Sequence, residues 1–100
     1  MASEIILSPE AMDHLAALSA RHRRVVLDAI EVHLSHQPTT ATKQRKPLRP
    51  NPLAPWELRV GTFRVDSQVE SDDDAEIVYV IAVGRKVRNR VIIAGVEVKL

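Results

Sequence analysis

Cysteine is absent from the 100-residue chain, which excludes a disulfide framework, a thiolate metal site and thiol catalysis. That absence fits a reducing cytoplasm. Aromatic residues are nearly missing as well: Trp56, Phe63 and Tyr79 are the whole set, so the core must be assembled from Val, Ile, Leu and Ala and its stability should be modest. No run approaches the roughly 20 apolar residues that span a bilayer, and residues 1–7 contain Glu4 without the basic segment of a secretory signal. The expectation is a soluble cytoplasmic protein with no membrane association. P-loop, dinucleotide and Ser/His/Asp motifs are lacking too, as are internal repeats and low-complexity segments.

A chain of this length favours one compact domain over residues 1–100, with one core and one site. Its net charge of +1 conceals a segregation along the sequence. Lys43, Arg45, Lys46 and Arg49 form a basic group; Asp66, Glu70, Asp72, Asp73, Asp74 and Glu76 an acidic one; Arg85, Lys86, Arg88 and Arg90 a second basic one. Local sign matters more here than the sum.

Glu4-Ile5-Ile6-Leu7 reads as a short strand stopped by Ser8-Pro9. Ser8 suits an N-cap, Pro9 the first helical position and Glu10 the positive end of the helix dipole. Met12, Leu15, Ala16 and Leu18 then recur at helical spacing and predict one buried face. Ser19-Ala20-Arg21-His22 is a polar joint, read either as a turn or as continued helix, and Val26, Leu27, Ile30 and Leu34 form a second stripe ending near His36, before Pro38. The two helices should pack as an antiparallel hairpin. Five of the chain's 6 prolines fall between Gln37 and Pro55, a long connection expected to lie over the surface.

From Trp56 onward the pattern is β. Trp56, Leu58 and Val60 alternate with Glu57 and Arg59; after Gly61-Thr62, Phe63 and Val65 alternate with Arg64 and Asp66, which predicts a hairpin. Asp72-Asp73-Asp74 lacks the spacing, glycine and terminal glutamate of a calcium loop and reads as a solvated turn. The apolar run Ile77 to Val83 suits a central strand, and residues 91–98 suit a final strand with a bulge at Ala94-Gly95. The sum is an α+β domain: an N-terminal helix hairpin packed on one face of an antiparallel sheet, with the other face open to a ligand.

This order of residues resembles the RelE/ParE superfamily of bacterial type II toxins. The likeness rests on Lys46-Pro47-Leu48-Arg49, then Trp56-Glu57-Leu58-Arg59-Val60-Gly61, then Phe63-Arg64-Val65, then Val80-Ile81-Ala82-Val83-Gly84-Arg85-Lys86, about half the chain. The resemblance implies the toxin of a toxin–antitoxin system that binds and cleaves mRNA in association with the ribosome. Arg59, Arg64 and Lys86 then take the positions of the family's basic catalytic residues, Arg85 being an alternative to Lys86. Lys43, Arg45, Lys46, Arg49, Arg85 and Arg88 become candidates for the RNA backbone. A cognate antitoxin is the implied protein partner, with no cofactor and no metal. Two positions depart from the family: Val91, Ile92 and Ile93 stand where some members carry a C-terminal tyrosine, and Asp66-Ser67 replaces an aromatic often found after the second-strand arginine. A ParE-like inhibitor of DNA gyrase without nuclease activity, and a member that retains only antitoxin binding, are the alternative implications.

Cleavage of RNA by transesterification needs a 2′-hydroxyl deprotonated, a phosphorane-like charge stabilised and a leaving oxygen protonated. Arginine serves the second need through its permanently charged planar fork and serves proton transfer poorly. The proton carriers must come from Glu57, Lys86, Tyr79 or a histidine. A competing reading makes Arg59 and Arg64 solvated residues paired with Glu57 and Asp66 across the hairpin. The basic run Lys43 to Arg49 has a similar alternative as a solvated loop, since no aromatic is interleaved to stack bases. His33 and His36 lie three apart on the second helix, but no nearby carboxylate or cysteine completes a metal set, and His14 and His22 are isolated.

Overall fold

A computed structural model of the chain describes residues 3–35, 41–51, 53–71 and 75–98. His36, Pro38 and the Asp72-Asp73-Asp74 turn lie outside these residues. The chain opens with strand β1 (Glu4–Leu7) and passes directly into helix α1 (Pro9–Ala16). Ser8 makes that switch: its hydroxyl accepts from the Ala11 amide at 3.0 Å and donates to the Ile81 carbonyl at 2.8 Å, so the helix cap is also pinned to the sheet. Helix α2 (Ala20–Leu34) starts after only Ala17, Leu18 and Ser19, because the Ser19 hydroxyl accepts from the His22 amide at 3.2 Å. Arg21 and His22 therefore belong to the helix and not to the joint. Arg23 reaches back from α2 and donates to the carbonyls of Leu15, Ala16 and Leu18 at 3.0–3.2 Å, filling acceptors that the end of α1 leaves open.

The remaining elements are strands: β2 (Arg45–Pro47), β3 (Trp56–Val60), β4 (Phe63–Ser71), β5 (Glu76–Val87), β6 (Arg90–Ile93) and β7 (Val96–Val98). They form one sheet in the order β2-β3-β4-β5-β6-β7, antiparallel throughout, with β1 added parallel to β5. The predicted central strand is β5, which carries β4 on one side and β1 then β6 on the other.

Three features differ from the sequence expectation. The proline-rich connection contains an edge strand, β2, held by β3 through the register Arg45↔Leu58 and Lys46↔Glu57. Residues 90–98 are two strands and not one bulged strand, since Ala94 (φ 51) and Gly95 (φ 80) both take left-handed conformations and close a two-residue turn. The bulge lies elsewhere: between Asp66 and Ser67 of β4 the register on β5 steps from Ala82 to Val80 and leaves Ile81 unpaired.

The core fills the space between the helices and one face of the sheet. Ala11 and Leu15 of α1 and Val26, Ile30 and Leu34 of α2 meet Leu58, Val60, Phe63, Val65, Val78, Val80 and Val83. Met12, Ala16 and Leu27, expected inside, are exposed, and Ala11 takes the inward position on α1 beside Leu15. Trp56 shares the helix-side face by alternation and is half-buried.

Candidate functional site

Strand alternation sends every second residue to the face that the helices do not cover. From the registers Lys46↔Glu57, Glu57↔Asp66, Arg59↔Arg64, Arg64↔Gly84 and Lys86↔Val91, this face carries Lys46, Glu57, Arg59, Arg64, Asp66, Ala82, Gly84, Lys86 and Val91. Ala82 and Gly84 of β5 stand opposite Asp66 and Arg64 and have little or no side chain of their own. Gly84 is required for another reason: a Cβ there would stand 2.6 Å from Ile93 Cγ1 and 2.7 Å from the Ile92 carbonyl oxygen.

Glu57 is the centre of the cluster. Its carboxylate is 3.8 Å from Lys46 Nζ and 3.8 Å from Arg64 Nε, and only 5% of its side chain is exposed. Arg64 is also buried, and its Nη1 donates to the carbonyls of Gly61 and Phe63 at 2.8 Å. The hairpin turn thus fixes the guanidinium, whose Nε faces Glu57. A cavity of about 260 Å³ opens on these groups, lined by Lys46, Leu48, Arg49, Glu57, Arg64, Lys86 and Asn89 among others. It gathers four cations around one carboxylate, a composition suited to a polyanion and a proton acceptor.

Asp66 does not line this cavity but stands directly across the ladder from Glu57. It is wholly inaccessible to solvent, and neither carboxyl oxygen has a hydrogen-bond partner. Burial, and secondarily the negative charge of Glu57, push its pKa up from 3.8 to about 7. Among the described residues no three His, Asp or Glu side chains converge on a point that would hold a metal ion.

No protein-family model matches the chain, and no curated protein matches it by sequence. Solved structures do match. A chain of the toxin–antitoxin complex RelBE2 from Mycobacterium tuberculosis is similar with a TM-score of 0.68 and 23% identity, over 86% of this chain and 100% of that one. The YoeB/ParE toxin from Agrobacterium tumefaciens is similar with a TM-score of 0.66 and 16% identity, over 84% of this chain and 99% of that one. The fold is that of a RelE/ParE-like toxin.

Within this toxin fold the sequence-predicted residues separate by face. Arg64 and Lys86 meet in the cavity, joined by Lys46 and Arg49. Arg59 shares the face but is exposed and does not line the cavity. Arg45 sits on the opposite side: opposite Leu58 in the register it points at α2, is 8% exposed and donates through Nη1 to the His33 carbonyl at 2.8 Å. So placed, the Arg45 guanidinium ties β2 to a helix and is not among the cavity-lining cations. Arg85 likewise faces the helix side, with its guanidinium carbon 4.9 Å from the centre of the Phe63 ring. Lys43 and Arg88 are exposed outside the cavity, Arg88 at the β5–β6 turn with φ 58.

Asp66 is the residue that sequence reasoning missed as part of the site. In the sequence it stands out only as a departure from the family pattern and as a cross-hairpin partner for arginine; its burial opposite Glu57 follows from the register of the folded sheet. Tyr79, His14, His22 and His33 do not line the cavity. No helix among the described residues is long and apolar enough to cross a membrane.

Proposed function

We propose that this protein is the toxin of a toxin–antitoxin system and cleaves mRNA, in association with the ribosome, so that translation stops. The observation carrying this reading is the Glu57 carboxylate held 3.8 Å from both Lys46 and Arg64 at the wall of a cationic cavity. Glu57 accepts the proton of a ribose 2′-hydroxyl, whose oxygen attacks the adjacent phosphorus. Arg64 meets the charge that develops on the phosphoryl oxygens, with Lys46 and Arg49 holding the flanking backbone. Lys86 carries a transferable proton, unlike Arg64, and delivers it to the leaving 5′ oxygen. Glu57 thus fills the proton-transfer role that the absent C-terminal tyrosine leaves vacant. Arg59, exposed on the same face, extends the contact with RNA. The similar fold of a chain from a toxin–antitoxin complex supports a protein antitoxin as partner, and a ribosomal target implies action in the cytoplasm.

The test is incubation of the purified protein with mRNA, with and without ribosomes, beside a plasmid supercoiling assay with gyrase. Cleavage that falls at least about 100-fold in Glu57→Gln and in Arg64→Ala, with the circular dichroism spectrum retained, supports the reading. Intact RNA under all conditions sinks it, and gyrase inhibition in its place would establish the ParE-like alternative.

A further inference from the structure

A carboxyl group with no solvent access and no hydrogen-bond partner is costly to keep in a core position. Asp66 is such a group, and its place in the sheet is specific. The register sets it directly opposite Glu57 on the helix-free face, where Cβ atoms of an antiparallel pair stand about 4.5–5.5 Å apart. Its other neighbour in the sheet is Ala82 of β5, which has neither charge nor hydrogen-bonding side chain. The charged groups around the pair are distributed unequally. Lys46 of β2 and Arg64 of β4 both stand at 3.8 Å from Glu57, and Arg49 and Lys86 face the same cavity. No cation forms an ion pair with Asp66 among the described residues, and Tyr79 lies further along β5, opposite Gln68.

Neighbouring carboxyls that interact strongly give up their protons as a pair and not singly. The nearest cations, Lys46 and Arg64, face Glu57, and Asp66 has no such neighbour among the described ion pairs. We propose that Asp66 is a positioning residue for Glu57: it holds the proton of a coupled carboxyl pair, and release of that proton makes Glu57 a stronger acceptor of the substrate's 2′-hydroxyl proton. The inference rests on the RNA-cleaving reading for its last clause, while the coupling itself is a property of the free protein. The raised pKa of Asp66, about 7, places the release inside the physiological range. Burial of an acid without a hydrogen-bond partner costs stability that an apolar residue would not, so packing alone gives no reason for an acid there.

The experiment is carboxyl-carbon NMR of the free protein across pH, wild type and Asp66→Asn, followed by rates of RNA cleavage over the same range. Coupling predicts that the Glu57 resonance moves in two steps, the second coinciding with that of Asp66, and that Asp66→Asn leaves a single step at lower pH. It predicts as well a several-fold extra rise in kcat between about pH 6 and pH 8 that Asp66→Asn abolishes while KM is unchanged. A Glu57 resonance that does not move with Asp66 in the wild type overturns the proposal without need of any variant. An Asp66→Asn enzyme that keeps the wild-type pH profile overturns it too. If RNA stays intact in every assay, the RNA reading fails and with it the catalytic clause, while the titration still decides the coupling.

Discussion

Asp66 links the site to stability. Its pKa is raised from 3.8 in the unfolded chain to about 7 in the fold, so unfolding releases a proton throughout that interval. The contribution to stability is fully present below about pH 4, declines as pH rises and is lost above about pH 7, a span worth about 4 kcal/mol at 1.36 kcal/mol per pKa unit. Asp66→Asn removes the titration. Urea midpoints for wild type and variant should therefore diverge in the variant's favour between about pH 4 and pH 7, and a constant difference would show that Asp66 is not buried as an acid. A second residue-scale expectation concerns Ala94, whose φ of 51 costs an L-residue about 1 kcal/mol. Ala94→Gly should raise the melting temperature by a few degrees, the gain being reduced by the greater freedom of glycine in the unfolded chain. Sequence alone could not reveal either feature. Nothing local announces that Asp66 will lose its solvent, and alanine is not a residue that signals a left-handed turn.

The helices show how much of an element is written locally. Ser8, Pro9 and Glu10 marked the start of α1 correctly because capping is a short-range interaction. The end of α1 is different: its carbonyls are satisfied by Arg23, a residue on the next helix, and this distant partner is why the joint was misplaced by a few residues. Arg23→Ala should cost about 1–3 kcal/mol and fray α1, read as reduced helicity and a lower urea midpoint; unchanged helicity would assign the capping to water. Strand β2 was invisible for a related reason. Arg45-Lys46-Pro47 has no apolar alternation, and its pairing comes from the open edge of β3 and from Arg45 reaching α2. Between β5 and β6, Gly84 permits the close approach of Ile92 and Ile93. Gly84→Ala should destabilise by about 1–3 kcal/mol and weaken RNA binding by shifting Lys86, and wild-type values for both would show that β6 has slack.

At the scale of the whole molecule, the sheet sorts charges that the sequence lists together. Arg45 and Lys46 are adjacent in the chain, as are Arg85 and Lys86, yet one of each pair faces the helices and the other the cavity. Four cations, Lys46, Arg49, Lys86 and Arg64, remain around Glu57. If all of them meet phosphates of single-stranded RNA, the logarithm of affinity should fall with the logarithm of salt at a slope of about −3. Fluorescence anisotropy with an uncleavable RNA measures it. A slope near zero would mean that the cavity does not bind a polyanion, and an unchanged slope in Lys43→Ala would match that residue's position outside the cavity.

The sequence by itself determined β1, the two helices, the β3–β4 hairpin, the central strand β5 and the set of cationic residues, because periodicity, caps and turn residues act over a few positions. It also carried the likeness to a toxin fold that the solved structures bear out. The tertiary structure decided which of those cations share a cavity, where the sheet bulges and that two acids lie opposite each other on adjacent strands. Those outcomes depend on register, and register follows from how the whole sheet packs its apolar face against the helices.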